Sequence, residues 1–142
     1  MDLENLKRST QIAMFNRKGG KRMETVLYDN IDLTTVSTLN TVINLDEEYT
    51  KFDELRIEYG YIFTQAAGNN KIFQLINTFT SDELETMRAA LYDGRKGYIL
   101  FLSLNGMYVA LDITSTSQLT VIDVNTNASY NQYITKITGI KY

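Results

Sequence analysis

Cysteine, histidine, proline and tryptophan are all missing from this 142-residue chain. Without cysteine there is no disulfide framework, no thiol nucleophile and no zinc–thiolate site. Without histidine the chain lacks the usual general base near neutral pH and the commonest metal ligand. An enzyme built from these residues would have to run on carboxylates, lysine or tyrosine. Long apolar runs are lacking too. No stretch reaches the roughly 18 residues needed to cross a bilayer, and Met1 to Thr10 (MDLENLKRST) has no apolar segment of the secretory kind. What is present is a globular balance, 44% hydrophobic and 22% charged. The length suits one domain able to bury its own core.

The formal charge of −3 is unevenly placed. Up to Arg22 there are six basic residues (Lys7, Arg8, Arg17, Lys18, Lys21, Arg22) against Asp2 and Glu4, a local charge of +4. The remaining 120 residues therefore carry −7, the difference between −3 and +4. These basic charges are interrupted by Gly19-Gly20 and form no continuous groove, so residues 1–23 read as a solvated arm or stem and no nucleic-acid partner is expected. A phosphate-binding loop is excluded as well. It needs a further glycine before Lys-Ser/Thr and a helix behind it, whereas Arg22 and Met23 follow here and the chain turns β-rich.

From residue 24 onward the pattern has period two. Val26–Ile31 and Thr41–Leu45 are short β-branched runs. In Glu54–Phe63, Leu55, Ile57, Tyr59, Tyr61 and Phe63 alternate with Glu54, Arg56, Glu58, Gly60 and Ile62, which predicts a half-buried antiparallel strand. Gln65–Asn70 supplies turn chemistry, and Lys71–Phe79 resumes the apolar run. Thr80–Gly94 is the one helix candidate. It has a Thr80/Glu83 capping box, Leu84, Met87 and Leu91 on one face, leading acids, and Gly94 as its stop. Tyr98–Leu104 and Met107–Ile113 flank Asn105-Gly106, the signature of a type I′ hairpin. Leu119–Val124 and Ile134–Ile140 add two strands around the polar stretch Asn125–Gln132. About eight strands and one short helix predict an all-β, antiparallel, jelly-roll-like β-sandwich over residues 24–142.

Two passages carry a resemblance. Leu27-Tyr28-Asp29-Asn30, then Thr41-Val-Ile-Asn-Leu45, then Phe52-Asp53-Glu54-Leu55-Arg56-Ile57 is similar to the opening of a bacteriophage tail-fibre distal domain. The ending Ile134-Thr135-Lys136-Ile137-Thr138-Gly139-Ile140-Lys141 resembles that family's last strand, with Thr138 where the family usually has an aromatic. The resemblance implies a homotrimeric β-sandwich in the virion tail, at a fibre tip or baseplate, that adheres to a host surface glycan or protein. It further implies that the N-terminal arm joins other tail proteins. Two other classes stay open: a structural virion component (baseplate, tail or capsid) that serves assembly only, and a carboxylate-based polysaccharide depolymerase. The missing histidine and the small size count against the last.

Ten tyrosines suit recognition, because a phenol stacks on sugar rings and also hydrogen-bonds. Tyr59 and Tyr61 share an apolar strand face, where core packing explains them first. Tyr108 and Asp112 point away from Met107 and Val109. Tyr130 and Tyr133 flank Asn131 and Gln132 in a polar loop where aromatic and amide groups can meet a ligand. These six residues are the candidate site. The acids Asp46-Glu47-Glu48 and Asp82-Glu83-x-Glu85 have ordinary explanations at a turn and a helix start. A glycosidase pair would be recognised only by its spacing in three dimensions. Asp123, Asn125 and Asn127 alternate as calcium ligands do but lack the following glycine and distal glutamate. Asn127-Ala128-Ser129 fits a glycosylation sequon without a secretory signal. No catalytic residue, metal, cofactor or membrane insertion is expected.

Overall fold

The computed structural model describes residues 22–63, 73–92, 95–96, 100–125 and 130–142. The basic arm up to Lys21, Gln65–Asn70, Gly94, and the sequon Asn127-Ala128-Ser129 lie outside the described residues. Ten strands occur among those described: β1 (Met23–Asp29), β2 (Val42–Asn44), β3 (Glu54–Phe63), β4 (Phe73–Thr80), β5 (Leu91–Tyr92), β6 (Arg95–Lys96), β7 (Leu100–Leu104), β8 (Met107–Ser115), β9 (Gln118–Val124) and β10 (Tyr130–Lys141). A 3₁₀ turn covers Tyr49–Lys51, and the helix α1 runs over Ser81–Ala89. One sheet has the order β1-β10-β3-β4 and the other β2-β9-β8-β7, all antiparallel, with β5-β6 as a small separate ribbon.

The fold is an all-β sandwich, as the alternation predicts. Its outer pairs wind as in a jelly roll, the first strand beside the last and the second beside the one before. The inner strands close as hairpins within their own sheets, β3 with β4 and β7 with β8. Between the sheets, Leu55, Ile57, Tyr59, Ile134 and Ile137 face Ile43, Val109, Leu111, Leu119 and Val121, all essentially sealed from solvent. Tyr59 and Tyr61 are buried, so the core reading of both holds.

The central strand β10 is buried on both faces, which periodicity did not foretell. Ile134 and Ile137 point into the core, while Tyr133, Thr138 and Ile140 are buried on the outer face. Tyr133 stands opposite Gly60, which offers no side chain of its own to compete for the space above the sheet. Gly139 is required by close approach: a Cβ there would lie 2.6 Å from Cγ of Phe52. Asn105 (φ 52°) and Gly106 (φ 84°) adopt the paired positive φ values of the anticipated tight turn.

Two boundaries differ from expectation. The helix is shorter than Thr80–Gly94. Thr80 caps it, its hydroxyl accepting from the Glu83 amide at 3.1 Å, and Leu84 is buried beneath it. At Ala90, however, the backbone turns extended (ψ 123°), and Leu91 pairs in the β5–β6 ribbon instead of completing the apolar face. Tyr130–Gln132 is not loop but the start of β10, paired with Phe63, Ile62 and Tyr61. The β3 partner supplies ladder bonds that a polar sequence does not advertise.

Candidate functional site

One end of the sandwich gathers the β1–β2 connection, the Asn105-Gly106 turn, the end of β9 and the start of β10. Between them opens a cavity of about 540 Å³, lined by Val36, Ser37, Thr38 and Leu39, by Asp123, Val124 and Asn125, and by Tyr130, Asn131 and Gln132. The volume lies within the range of small-ligand sites. Backbone bonds hold the wall in place. The Ser37 amide donates to the Gln132 carbonyl at 2.8 Å, and the Asn40 amide donates to the Val121 carbonyl at 2.8 Å. Asn40 makes the turn back into β2 at φ 70°, a conformation asparagine tolerates better than most residues.

The floor is a closed hydrogen-bond network. Gln132 is buried; its Oε1 accepts from the Tyr59 hydroxyl and its Nε2 donates to Asn125 O and Oδ1, both at 3.0 Å. Asn125 Oδ1 also accepts from the Tyr108 amide at 2.6 Å, while its Nδ2 donates to the Gly106 carbonyl at 3.1 Å. Burial, followed by the neighbouring Tyr61, raises the Tyr59 phenol well above its ordinary range, so it remains a donor at neutral pH. Both carboxamides are thus spent on structure, and their low-dielectric surroundings make the network rigid. The Ser37 hydroxyl has no hydrogen-bond partner among the described residues, and it and the Asp123 carboxylate are the groups a ligand can address. The Asn131 side chain alternates with Gln132 and shares the face of Tyr133. The remaining walls are apolar, from Val36, Leu39, Val124 and Tyr130. Tyr130 meets Tyr61 edge-on at 5.3 Å between ring centres, and Asn105 Nδ2 donates to the Tyr61 hydroxyl at 3.0 Å.

The six sequence candidates separate into three groups. Tyr130, Asn131 and Gln132 line the cavity together, Gln132 as its buried floor. Tyr133 points to the opposite face of β10 and is buried there, because the strand alternates. Tyr108 and Asp112 are half-buried on the outer face of the β2-β9-β8-β7 sheet. The Tyr108 hydroxyl donates to Asp123 Oδ2 at 3.2 Å, and its ring stacks on Phe101 with centres 5.2 Å apart. Desolvation, and then that hydrogen bond, raise its phenol above the ordinary value.

Sequence reasoning missed Ser37, Leu39 and Phe101. For the first two the only signal was a Thr/Ser/Asn-rich connection, which marks a loop but not which residue faces a cavity. Asp123 and Asn125, read for calcium, instead bond Tyr108 and Gln132. No cluster of three or more metal-ligating side chains occurs among the described residues. The acids at 46–48 and 82–85 lie at the opposite end, where Thr116 Oγ1 donates to Glu48 at 2.9 Å and α1 packs. Comparison with family models and with curated proteins finds no match to this chain.

Proposed function

We propose that this protein is a non-catalytic adhesion module of a phage tail fibre, which holds a bacterial surface glycan in the cavity at the loop end of its sandwich. The carrying observation is that cavity: open, walled by apolar groups and an aromatic ring, and furnished with Ser37 and Asp123 over a floor whose amides are already satisfied. Such a site holds and orients a polyol and activates nothing. Among the described residues its lining carries a single carboxylate, where glycoside hydrolysis by the usual route needs two. The resemblance of both ends of the chain to tail-fibre distal domains points the same way. Its matching C-terminal stretch belongs to the central strand β10, whose start presents Tyr130 and Gln132 to the cavity. Three copies on one fibre would turn weak single sites into firm attachment.

The test is sedimentation of the purified protein with bacterial envelopes, beside Leu39→Lys, which places a long cation at the exposed rim of the cavity. Light scattering on the same sample should give about three times 16.3 kDa. Envelope binding by the wild type that the variant loses supports the proposal. Binding to a virion protein but to no envelope, glycan or cell would replace it with the assembly role.

A further inference from the structure

Two open four-stranded sheets leave four edge strands, and an unpaired edge is where a sheet recruits a further strand. Three of the four are blunted. β1 carries Glu24 and Asp29 and is broken by a bulge between Val26 and Tyr28. β2 has three residues and β7 five. β4 is different. Its eight residues (FQLINTFT) include no charge, proline or glycine, and no bulge interrupts their register with β3. No strand pairs with its far side among the described residues. Gln74, Leu75, Ile76 and Thr78 are exposed, and Ile76 leaves 57% of its surface in solvent. One bond gives the direction of the free backbone groups. The Ser81 amide donates to the Asp53 carbonyl at 3.0 Å, so odd-numbered residues of β4 bond β3, and Gln74, Ile76 and Thr78 turn their amides and carbonyls to the open edge.

We propose that β4 is a self-association edge: two copies set their β4 strands antiparallel about a two-fold axis at Ile76, so that two four-stranded sheets become one of eight strands. A neutral strand suits a neutral edge. The β1 strand of a second copy would bring Glu24 and Asp29 to it, whereas β4 of that copy brings no charge to desolvate. The backbone alternation sets the register. Ile76 faces Ile76 of the second copy and Gln74 faces Thr78 on either side, all of them outward-bonding residues, which gives about six ladder bonds. The two isoleucines cover each other, with polar pairs flanking them. Two-fold symmetry closes the contact at two partners, and the blunted edges elsewhere stop the sheet from growing. The contact is small, so it is weak in dilute solution and grows with concentration. It is independent of the adhesion reading and of any three-fold contact, since it doubles whatever unit the dilute protein forms.

The chain has no cysteine, so an introduced thiol reports the register. Paired at Ile76, the two Cα atoms would stand about 5.5 Å apart, within disulfide reach. Two Gln74 Cα atoms would be about 13 Å apart, four residues along the strand and beyond that reach. Under mild oxidation Ile76→Cys should therefore give a species of twice 16.3 kDa, and Gln74→Cys should not. The double variant Gln74→Cys/Thr78→Cys should cross-link again. Light scattering of the wild type without oxidant should show the mass doubling between micromolar and millimolar concentration. Ile76→Lys, at an exposed position and with an unchanged urea midpoint, should abolish that rise. A cross-linked dimer from Gln74→Cys alone would mean parallel or slipped pairing and overturn the two-fold register. No cross-link at Ile76→Cys, a flat mass in the wild type, or a rise that persists in Ile76→Lys would overturn the edge itself.

Discussion

Replacing Gly139 by alanine adds one methyl group at the most crowded point of β10. An ideal Cβ would stand 2.6 Å from Phe52 Cγ and 2.7 Å from both Cδ atoms, about 1 Å inside ordinary carbon–carbon contact. The ring cannot give way cheaply, because these atoms lie at its root and the backbone beneath is clamped. The Phe52 amide donates to the Tyr49 carbonyl at 3.0 Å, and its own carbonyl accepts from the Ser81 hydroxyl. The Asp53 amide donates to the Ile140 carbonyl at 2.9 Å, tying the same segment to β10. Overpacking of this kind costs about 2–3 kcal/mol. Alanine recovers roughly 0.5–1 kcal/mol by restricting the unfolded chain. The net expectation is a loss of about 2 kcal/mol, which for a urea slope of 1–3 kcal/mol/M lowers the midpoint by about 1 M. The control is Phe52→Ala, which removes the Cγ and Cδ atoms concerned. In that background Gly139→Ala should cost less than about 0.5 kcal/mol, so the double-mutant cycle shows strong coupling. Equal costs in both backgrounds, or a wild-type midpoint shift below about 0.3 M, would refute the steric account of Gly139.

Two further outcomes follow from buried and paired polar groups. Thr138 is 1% exposed and its hydroxyl has no hydrogen-bond partner among the described residues, so Thr138→Val should raise stability by about 1 kcal/mol, read as a higher urea midpoint at constant slope. Glu85 is held at a pKa of about 2 by Arg88 and then by the Tyr49 hydroxyl, against 4.5 for a free carboxyl. Because the folded value is the lower one, the stabilisation is complete above pH ~4.5 and is lost as the pH falls toward ~2. The side chain is 36% exposed, so solvent screening limits the effect to about 1 kcal/mol or less. Glu85→Gln should flatten the fall in thermal midpoint between pH 5 and 2; a variant whose acid profile overlays the wild type would remove Glu85 from the account.

The β-class, the hairpin at Asn105-Gly106 and the Thr80 cap were legible in the chain because each is a short-range property. Period-two alternation, residues that tolerate positive φ, and a hydroxyl three residues before a glutamate act within a few bonds of themselves. Local pattern also located Tyr130, Asn131 and Gln132 as a place where aromatic and amide groups meet. Tertiary structure alone decided the rest. That Tyr133 turns away from its neighbours follows from Tyr130–Gln132 pairing with β3, a long-range event that converts a polar loop into strand and sends alternate side chains to opposite faces. That Ser37 bonds Gln132 depends on the β1–β2 connection folding across a strand almost a hundred residues later. Leu91 left the helix because a two-residue partner offered backbone bonds that its apolar spacing did not record. Composition and periodicity thus determined that this chain would bury one face of each strand between two sheets. Which loops would converge to leave a cavity was settled only when those sheets paired, since sequence records the preference of each residue and not the distance between its neighbours in space.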